Sequence, residues 1–226
     1  MITDQRFWVL GAGWVSALGY GVFGSEPRFA NEDVAFQYPE LSGFIAELPA
    51  RYGRFDVYSK LCFATAVLAL QDAGMLQREG KKRIGIVVGS SSGVYDNDLA
   101  YFESTKEEKG AFTSPNLFSY TLPNVALGEI AVFFNCIGPS CCVGNDPGNP
   151  GYDAMPVALS LLESGQCDVI LAGWVEVAHT IKNHAAIPKG AALAVLSAAK
   201  TSQAKAGFVW NQPVCFAEIF HDQEKS

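Results

Sequence analysis

The chain of 226 residues has a length typical of one large domain or two small ones. Its residues are 49% hydrophobic and 17% charged, so it can bury a core and is not expected to be disordered. The net charge of −7, with no basic run longer than 81–83, argues against nucleic-acid binding. No N-terminal signal pattern and no apolar run of about 18 residues is present, so we expect no membrane span and a cytoplasmic protein.

Neither a metal site nor a cofactor site is expected from the motifs. No Cys-x-x-Cys pair occurs, and no histidine lies at ligand spacing from a cysteine. The segment 11–13 is Gly-Ala-Gly, but the full spacing of a dinucleotide-binding loop is absent. The six cysteines lie at positions 62, 136, 141, 142, 167 and 215.

In chain order, the apolar pattern predicts alternating strands and helices. Residues 7–21 predict a short strand followed by a glycine-rich loop, and residues 25–50 are irregular. Residues 96–110 are charged and predicted as surface chain, and the segment from 114 begins as a loop. Helices are predicted within 55–75, 125–134 and 152–164. Further strands are predicted within 83–93, 140–143, 167–178 and 190–198.

This rhythm predicts an α/β fold, with a mixed, mostly parallel sheet of about five strands flanked by helices. We find no internal repeat and no low-complexity linker. A single domain over residues 1–226 is therefore the expected organisation. The high apolar content also suggests that some apolar surface remains for a partner.

Several motifs, in order, resemble the N-terminal half of a β-ketoacyl synthase of the thiolase-like superfamily. They are VLGAGWVSALG, RFDVYSKLCFATAVLALQDAGM, RIGIVVGSSSG, SPNLFSYTLPNVALGEIAVFFNCIGPS, SGQCDVILAGWVE and KGAALAVLSA. Each is weak alone, but six at compatible spacing strongly indicate the fold. The resemblance implies a thiolase-like half-fold and a role in polyketide or fatty-acid-type synthesis.

The turn after the strand SCCV departs from the family pattern. The resemblance implies a nucleophilic cysteine at Pro147 if positions are counted from Gly138, or at Gly148 if they are counted from Ala172. No residue from 144 to 151 carries a thiol or hydroxyl. We therefore interpret this segment as a nucleophile turn without its nucleophile, because condensation needs a thiolate at a helix N-terminus.

Three nearby side chains have alternative interpretations. Cys141 and Cys142 lie upstream in the strand, where alternation points them to opposite faces, toward core or interface. Asp146 is the ionisable group of the turn, and it either acts as a base or caps the turn or the following helix. The histidines 179, 184 and 221 are interpreted as surface or terminal residues, and the printed sequence has no counterpart of the family's second half with its catalytic histidines.

The resemblance implies pairing with another protein. Condensing enzymes pair through their N-terminal halves, with the strand beside the nucleophile turn along the dyad. In chain-length-factor heterodimers one subunit lacks the cysteine and shapes the partner's acyl pocket. Leu117 and Phe118 match positions that face the partner, and the alternative is that both are core residues beneath a loop.

Two functions remain open at this point. One is a subunit that does not catalyse on its own and resembles the chain-length-factor-like component of aryl polyene clusters. It would form a heterodimer with a full-length β-ketoacyl synthase and act indirectly with an acyl carrier protein. The other is a small acyl-thioester-processing enzyme using Asp146 or a histidine, or else a decayed half-domain. No motif identifies the partner synthase, the acyl chain and its length, or the pathway. No motif shows whether the chain homodimerises.

Overall fold

Seven strands and five α-helices occur in the part of the chain that the computed structural model describes, residues 6–30, 34–106, 113–146, 148–177, 188–210 and 216–220. The strands are β1 (Arg6–Ser16), β2 (Gly19–Val22), β3 (Ile84–Gly89), β4 (Ser140–Val143), β5 (Val169–Glu176), β6 (Gly190–Ser197) and β7 (Ala206–Val209). The α-helices are α1 (Val57–Asp72), α2 (Tyr95–Lys106), α3 (Pro115–Ser119), α4 (Asn124–Phe134) and α5 (Ala154–Glu163). Short 3-10 turns occupy Leu41–Gly43, Tyr52–Arg54 and Phe216–Phe220.

All of these strands form one mixed sheet with the order β2-β1-β6-β5-β3-β4, and β7 also pairs with β1. The ladders β5–β3 and β3–β4 are parallel, whereas β6 is antiparallel to both of its neighbours. Strand β1 therefore runs in the same direction as β5, β3 and β4. The predicted mostly parallel sheet of about five strands is confirmed, and two short antiparallel strands extend it beside β1.

Helices cover both faces of the sheet. Leu171 and Val175 of β5 pack into the core on the side of α1 and α4, whereas Ile170 and Ala172 pack on the side of α5. This alternation follows from the period of two along a strand, and it makes the central strands apolar on both faces. The result is a three-layer arrangement of helices, sheet and helices.

The glycine-rich segment around Gly11 and Gly13 belongs to β1 and is not the loop that we predicted. A Cβ on Gly11 would lie 2.4 Å from the backbone nitrogen of Ala73, and one on Gly13 would lie 2.7 Å from that of Ala69. These glycines therefore allow α1 to pack directly on β1. In this strand glycine marks a close approach of two backbones and not a turn.

The prediction of surface chain at 96–110 missed α2, and the predicted loop from 114 contains α3. Helix α2 has no buried residue, so no apolar periodicity marked it in the sequence. Its apolar side chains Tyr95, Leu99 and Phe102 are exposed. The two helices pack against each other, with the rings of Tyr101 and Phe118 5.4 Å apart.

The other three helices occur where they were predicted. Helix α1 begins after Asp56, whose carboxylate accepts a hydrogen bond from the Ser59 amide at 2.9 Å, and it is followed by Gly74 with a φ of 68°. Helix α5 starts two residues later than its predicted range. Within the described ranges, no helix is long and apolar enough to span a membrane.

Candidate functional site

The candidate site is the turn that joins β4 to α5 at the carboxyl edge of the sheet. It contains Asp146 and Gly148, while Pro147 lies outside the described residues. The Asp146 carboxylate accepts a hydrogen bond from the Gly148 amide at 2.9 Å, which closes a local Asx turn. The backbone amide of Asp146 donates to the Asp153 carboxylate at 2.8 Å. The carboxylate of Asp146 is thus engaged in holding its own turn.

The end of the turn is fixed against the core by Asn145 and Gly151. The side-chain oxygen of the buried Asn145 accepts a hydrogen bond from the Gly151 amide at 2.8 Å. Gly151 has a φ of 87°, and a Cβ there would lie 2.7 Å from the Phe216 ring. Both its backbone conformation and its surroundings therefore favour glycine at this position.

A buried carboxylate, Glu176, lies behind this turn at the end of β5. It is 1% exposed and accepts hydrogen bonds from the side chain of Asn145 at 3.1 Å and from three consecutive serines. The backbone amides of Ser91 and Ser92 donate at 2.5 and 3.3 Å, and the hydroxyls of Ser90, Ser91 and Ser92 donate at 3.3, 2.7 and 3.0 Å. Glu176 therefore connects the serine loop after β3 to the turn after β4.

Sequence reasoning did not identify this network. Its signal was present as an acidic residue at the end of a buried strand and three serines directly after another buried strand. Because β3 and β5 are parallel neighbours, their carboxyl ends meet at the same edge of the sheet. A lone buried acid at such an edge requires donors, and the serine loop supplies them.

The two thiols nearest to the turn lie in β4 and point to opposite faces. Cys141 packs with the core on the α5 side, and Cys142 packs with the core on the side of α1 and α4. Burial raises the pKa of Cys141 and raises that of Cys142 to about 11. Both are therefore protonated at neutral pH, which is the opposite of what a nucleophilic cysteine requires.

The described residues leave β4 open along its outer edge. Strand β4 is the terminal strand of the sheet and pairs with β3 alone. The carbonyls of Pro139 and Val143 accept hydrogen bonds from the β3 side, at Ile86 and Ser90. Because backbone groups alternate along a strand, those of Ser140 and Cys142 point to the outer edge, where another strand can pair.

The two positions that the resemblance assigned to a partner interface lie on α3. Leu117 is half-buried, and its carbonyl accepts a hydrogen bond from Asn97 at 2.9 Å. Phe118 is 61% exposed, and so is Leu122 just beyond the helix. The ring of Phe118 therefore presents an apolar surface, although one side contacts Tyr101.

All three histidines of the chain and Cys215 lie outside the described residues. Among the residues that are described, no group of three His, Cys, Asp or Glu side chains forms a possible metal site.

Comparison with known proteins identifies the family. The sequence model of the β-ketoacyl synthase N-terminal domain matches residues 40–216. The chain belongs to this family. Five of the six motifs that carried the resemblance lie within the matched residues, and only VLGAGWVSALG precedes them. The departures in the turn are therefore departures within a ketoacyl synthase domain.

The curated relatives are much longer than this ketoacyl synthase domain. A Streptomyces virginiae protein provisionally named polyketide beta-ketoacyl synthase 1 is 30% identical over 135 residues, covering 57% of this chain and 32% of the relative. A non-reducing polyketide synthase of Aspergillus fumigatus is 27% identical over 177 residues, covering 76% of this chain and 9% of the relative. The chain thus spans about a third or less of the length of these two relatives.

Solved structures share the fold at low sequence identity. The ishigamide ketosynthase/chain length factor aligns with a TM-score of 0.62 and 16% identity, over 85% of this chain and 62% of that one. A β-ketoacyl synthase from Burkholderia phymatum aligns with a TM-score of 0.58 and 18% identity, over 85% of this chain and 59% of that one. These likenesses support the thiolase-like architecture.

Proposed function

We propose that this chain is a non-catalytic, chain-length-factor-like subunit that pairs with a full-length β-ketoacyl synthase and shapes its acyl pocket. The observation that carries the proposal is a folded ketoacyl synthase N-terminal domain whose nucleophile turn has no thiol in its sequence. Asn145, Gly151 and Glu176 hold the turn in a defined shape. In a decayed domain we would not expect the buried Glu176 to keep this many hydrogen bonds, since a buried acid is destabilising once its donors are lost.

The chemistry of the turn argues against condensation by this chain alone. Condensation requires a cysteine thiolate that accepts the acyl group, and a thiolate is favoured at a helix N-terminus. The nearest thiols, Cys141 and Cys142, lie within β4, and burial raises the pKa of each. The carboxylate of Asp146 bonds to its own turn, which disfavours the alternative of a general base.

Two surfaces support pairing with a synthase. The outer edge of β4 has no strand partner among the described residues, and β-strand addition across a dyad would satisfy its backbone groups. Phe118 of α3 and Leu122 just before α4 also expose apolar side chains that a partner would cover. We place Leu117 and Phe118 at the far end of the partner's acyl channel.

The pathway is proposed from the relatives. The curated relatives are named as polyketide synthases, and one structural neighbour is a type II polyketide acyl carrier protein in complex with its ketosynthase bound to the hexaketide. That neighbour has a TM-score of 0.60 and 17% identity over 86% of this chain. We therefore propose polyketide-type synthesis in the cytoplasm, with the acyl carrier protein serving the heterodimer. Aryl polyene assembly is the specific form that we favour over fatty-acid synthesis.

The pairing is tested by affinity purification of the tagged chain from its native cell, followed by mass spectrometry and gel filtration. A full-length β-ketoacyl synthase should co-purify and co-elute with it. Ser140→Pro removes an outward-pointing backbone N–H of β4 and should weaken the complex, because proline cannot donate to an added strand. Ser140→Ala keeps that N–H and should assemble normally. Absence of any synthase with the wild-type chain contradicts the proposal, as does equal assembly of both variants.

A further inference from the structure

A second concave site lies away from the nucleophile turn. It is a cavity of about 710 Å³ at the carboxyl edge of the sheet, between the first turns of α1 and α2 and next to the segment 34–38. Its volume falls in the range of small-molecule sites, roughly 300–1,000 Å³. None of the described residues that line it belongs to the turn between β4 and α5. The function proposed above therefore makes no use of this cavity.

The walls of the cavity are mostly apolar. They include Phe36 from the segment before α1, Val57 at the start of α1, Val94 just before α2 and Val177 just after β5. Val94 is 6% exposed and packs in the main core. Such a lining favours a ligand whose body is aliphatic or aromatic.

The charged side chains among the described lining residues are all acidic. Asp56 and Asp96 contribute carboxyl groups, while no lysine or arginine is among the described lining residues. One oxygen of Asp56 accepts the amide hydrogen bond of Ser59. Burial raises the pKa of Asp56, and hydrogen bonds from Ser59 and the Tyr58 backbone oppose that rise. Burial also raises the pKa of the neighbouring Tyr38, and the nearby Tyr52 and Asp56 raise it further.

We propose that this cavity binds an elongated apolar molecule carrying one amine, with the Asp56 carboxylate as the counter-ion of its ammonium group. The apolar walls receive the hydrocarbon body, and the ammonium pairs with the Asp56 carboxylate at the cavity wall. A carboxylate ligand is repelled by Asp56 and Asp96, and an alcohol gains no charge pairing. The inference stands independently of the pairing with a synthase.

The test uses three probes with the same ten-carbon chain, decylamine, decanol and decanoate, on the full chain below their micelle concentrations. Isothermal titration calorimetry should show decylamine binding at least about tenfold more tightly than decanol, the scale of a hydrogen bond to a charged group. Decanoate should bind most weakly. This comparison needs no variant, so it stands even if a substitution prevents folding.

Matched variants test whether decylamine binds in this cavity. Asp56→Asn keeps a good helix N-cap and removes the charge, so it should abolish the preference for decylamine over decanol without unfolding α1. Asp98→Asn removes an exposed charge of α2 that does not line the cavity, and it should leave the preference unchanged. Val57→Trp fills the mouth of the cavity from a position that is 54% exposed and should weaken decylamine and decanol alike.

Four results would overturn the proposal. They are no binding of decylamine, binding of decanoate as tight as that of decylamine, a preference that survives Asp56→Asn, and affinities unaffected by Val57→Trp. The last result would indicate adsorption to an exposed apolar surface such as that of Phe118.

Discussion

Removing the carboxylate of Glu176 should destabilise the chain more than any surface substitution. Five donor groups of Ser90, Ser91 and Ser92 would lose their acceptor, and so would the side-chain amide of Asn145. The hydroxyls of Ser90, Ser91 and Ser92 can rotate toward other acceptors, but the backbone amides of Ser91 and Ser92 are fixed. Each hydrogen bond to a charged group contributes about 1.5–3 kcal/mol. Losing the hydrogen bonds of these two amides alone should therefore lower the free energy of unfolding by about 3 kcal/mol. Breaking a buried charged network costs up to about 5 kcal/mol.

The assay is equilibrium urea unfolding followed by tryptophan fluorescence, since Trp174 lies two residues before Glu176 in β5. Glu176→Ala should lower the free energy of unfolding by about 3–5 kcal/mol. Glu176→Gln should remain costly despite its equal size, because its amide group would face donors. Ser91→Ala removes one hydroxyl and should cost about 1 kcal/mol.

The exposed Glu26 provides the control, and Glu26→Gln should change the free energy of unfolding by less than about 0.5 kcal/mol. A loss below about 1 kcal/mol for Glu176→Ala would refute the argument that this acid holds the serine loop and the turn together. Equal losses for Glu176→Ala and Ser91→Ala would refute it as well.

Three further predictions concern the pocket, the packing of the first strand and the thiols of β4. In the reconstituted complex, Phe118→Ala should lengthen the products and Leu117→Trp should shorten them, and unchanged product lengths with normal assembly would exclude both from the channel wall. Gly13→Ala should lower the free energy of unfolding by about 1–3 kcal/mol, because its Cβ would lie 2.7 Å from α1 backbone. Gly53→Ala, with open space around the new Cβ, should be close to neutral in the same unfolding assay, and equal effects would contradict the packing argument. Alkylation of Cys142 by iodoacetamide, followed by peptide mass spectrometry, should be slow at pH 7 and accelerate as the pH rises toward its pKa of about 11, whereas fast alkylation at pH 7 would contradict the raised pKa.

The turn between β4 and α5 was predictable from the sequence, because its residue types have strong local preferences. Two cysteines in a short strand, followed by glycine, asparagine, aspartate and proline, indicate a strand, a tight turn and a helix. The alternation of Cys141 and Cys142 between two cores follows from the period of a strand. Local chemistry therefore sufficed for the shape of this segment.

Features that depend on distant partners were not predictable in the same way. The helix α2 has no buried face, so its apolar residues show no inward periodicity. Gly11 and Gly13 were interpreted as loop formers, because only the packing of α1 on β1 shows why a strand needs them. The donors of Glu176 come from residues more than 30 positions away in sequence, and the topology of the sheet brings them together.

The central claim is that the chain acts as a partner and not as the condensing catalyst. The most direct test measures β-ketoacyl product formation from malonyl and acyl carrier-protein thioesters by the pure chain, by its complex with the co-purified synthase, and by the complex in which the synthase's nucleophilic cysteine is replaced by alanine. We predict product from the intact complex alone. Robust condensation by the pure chain would contradict the account, as would turnover that survives loss of the synthase's cysteine.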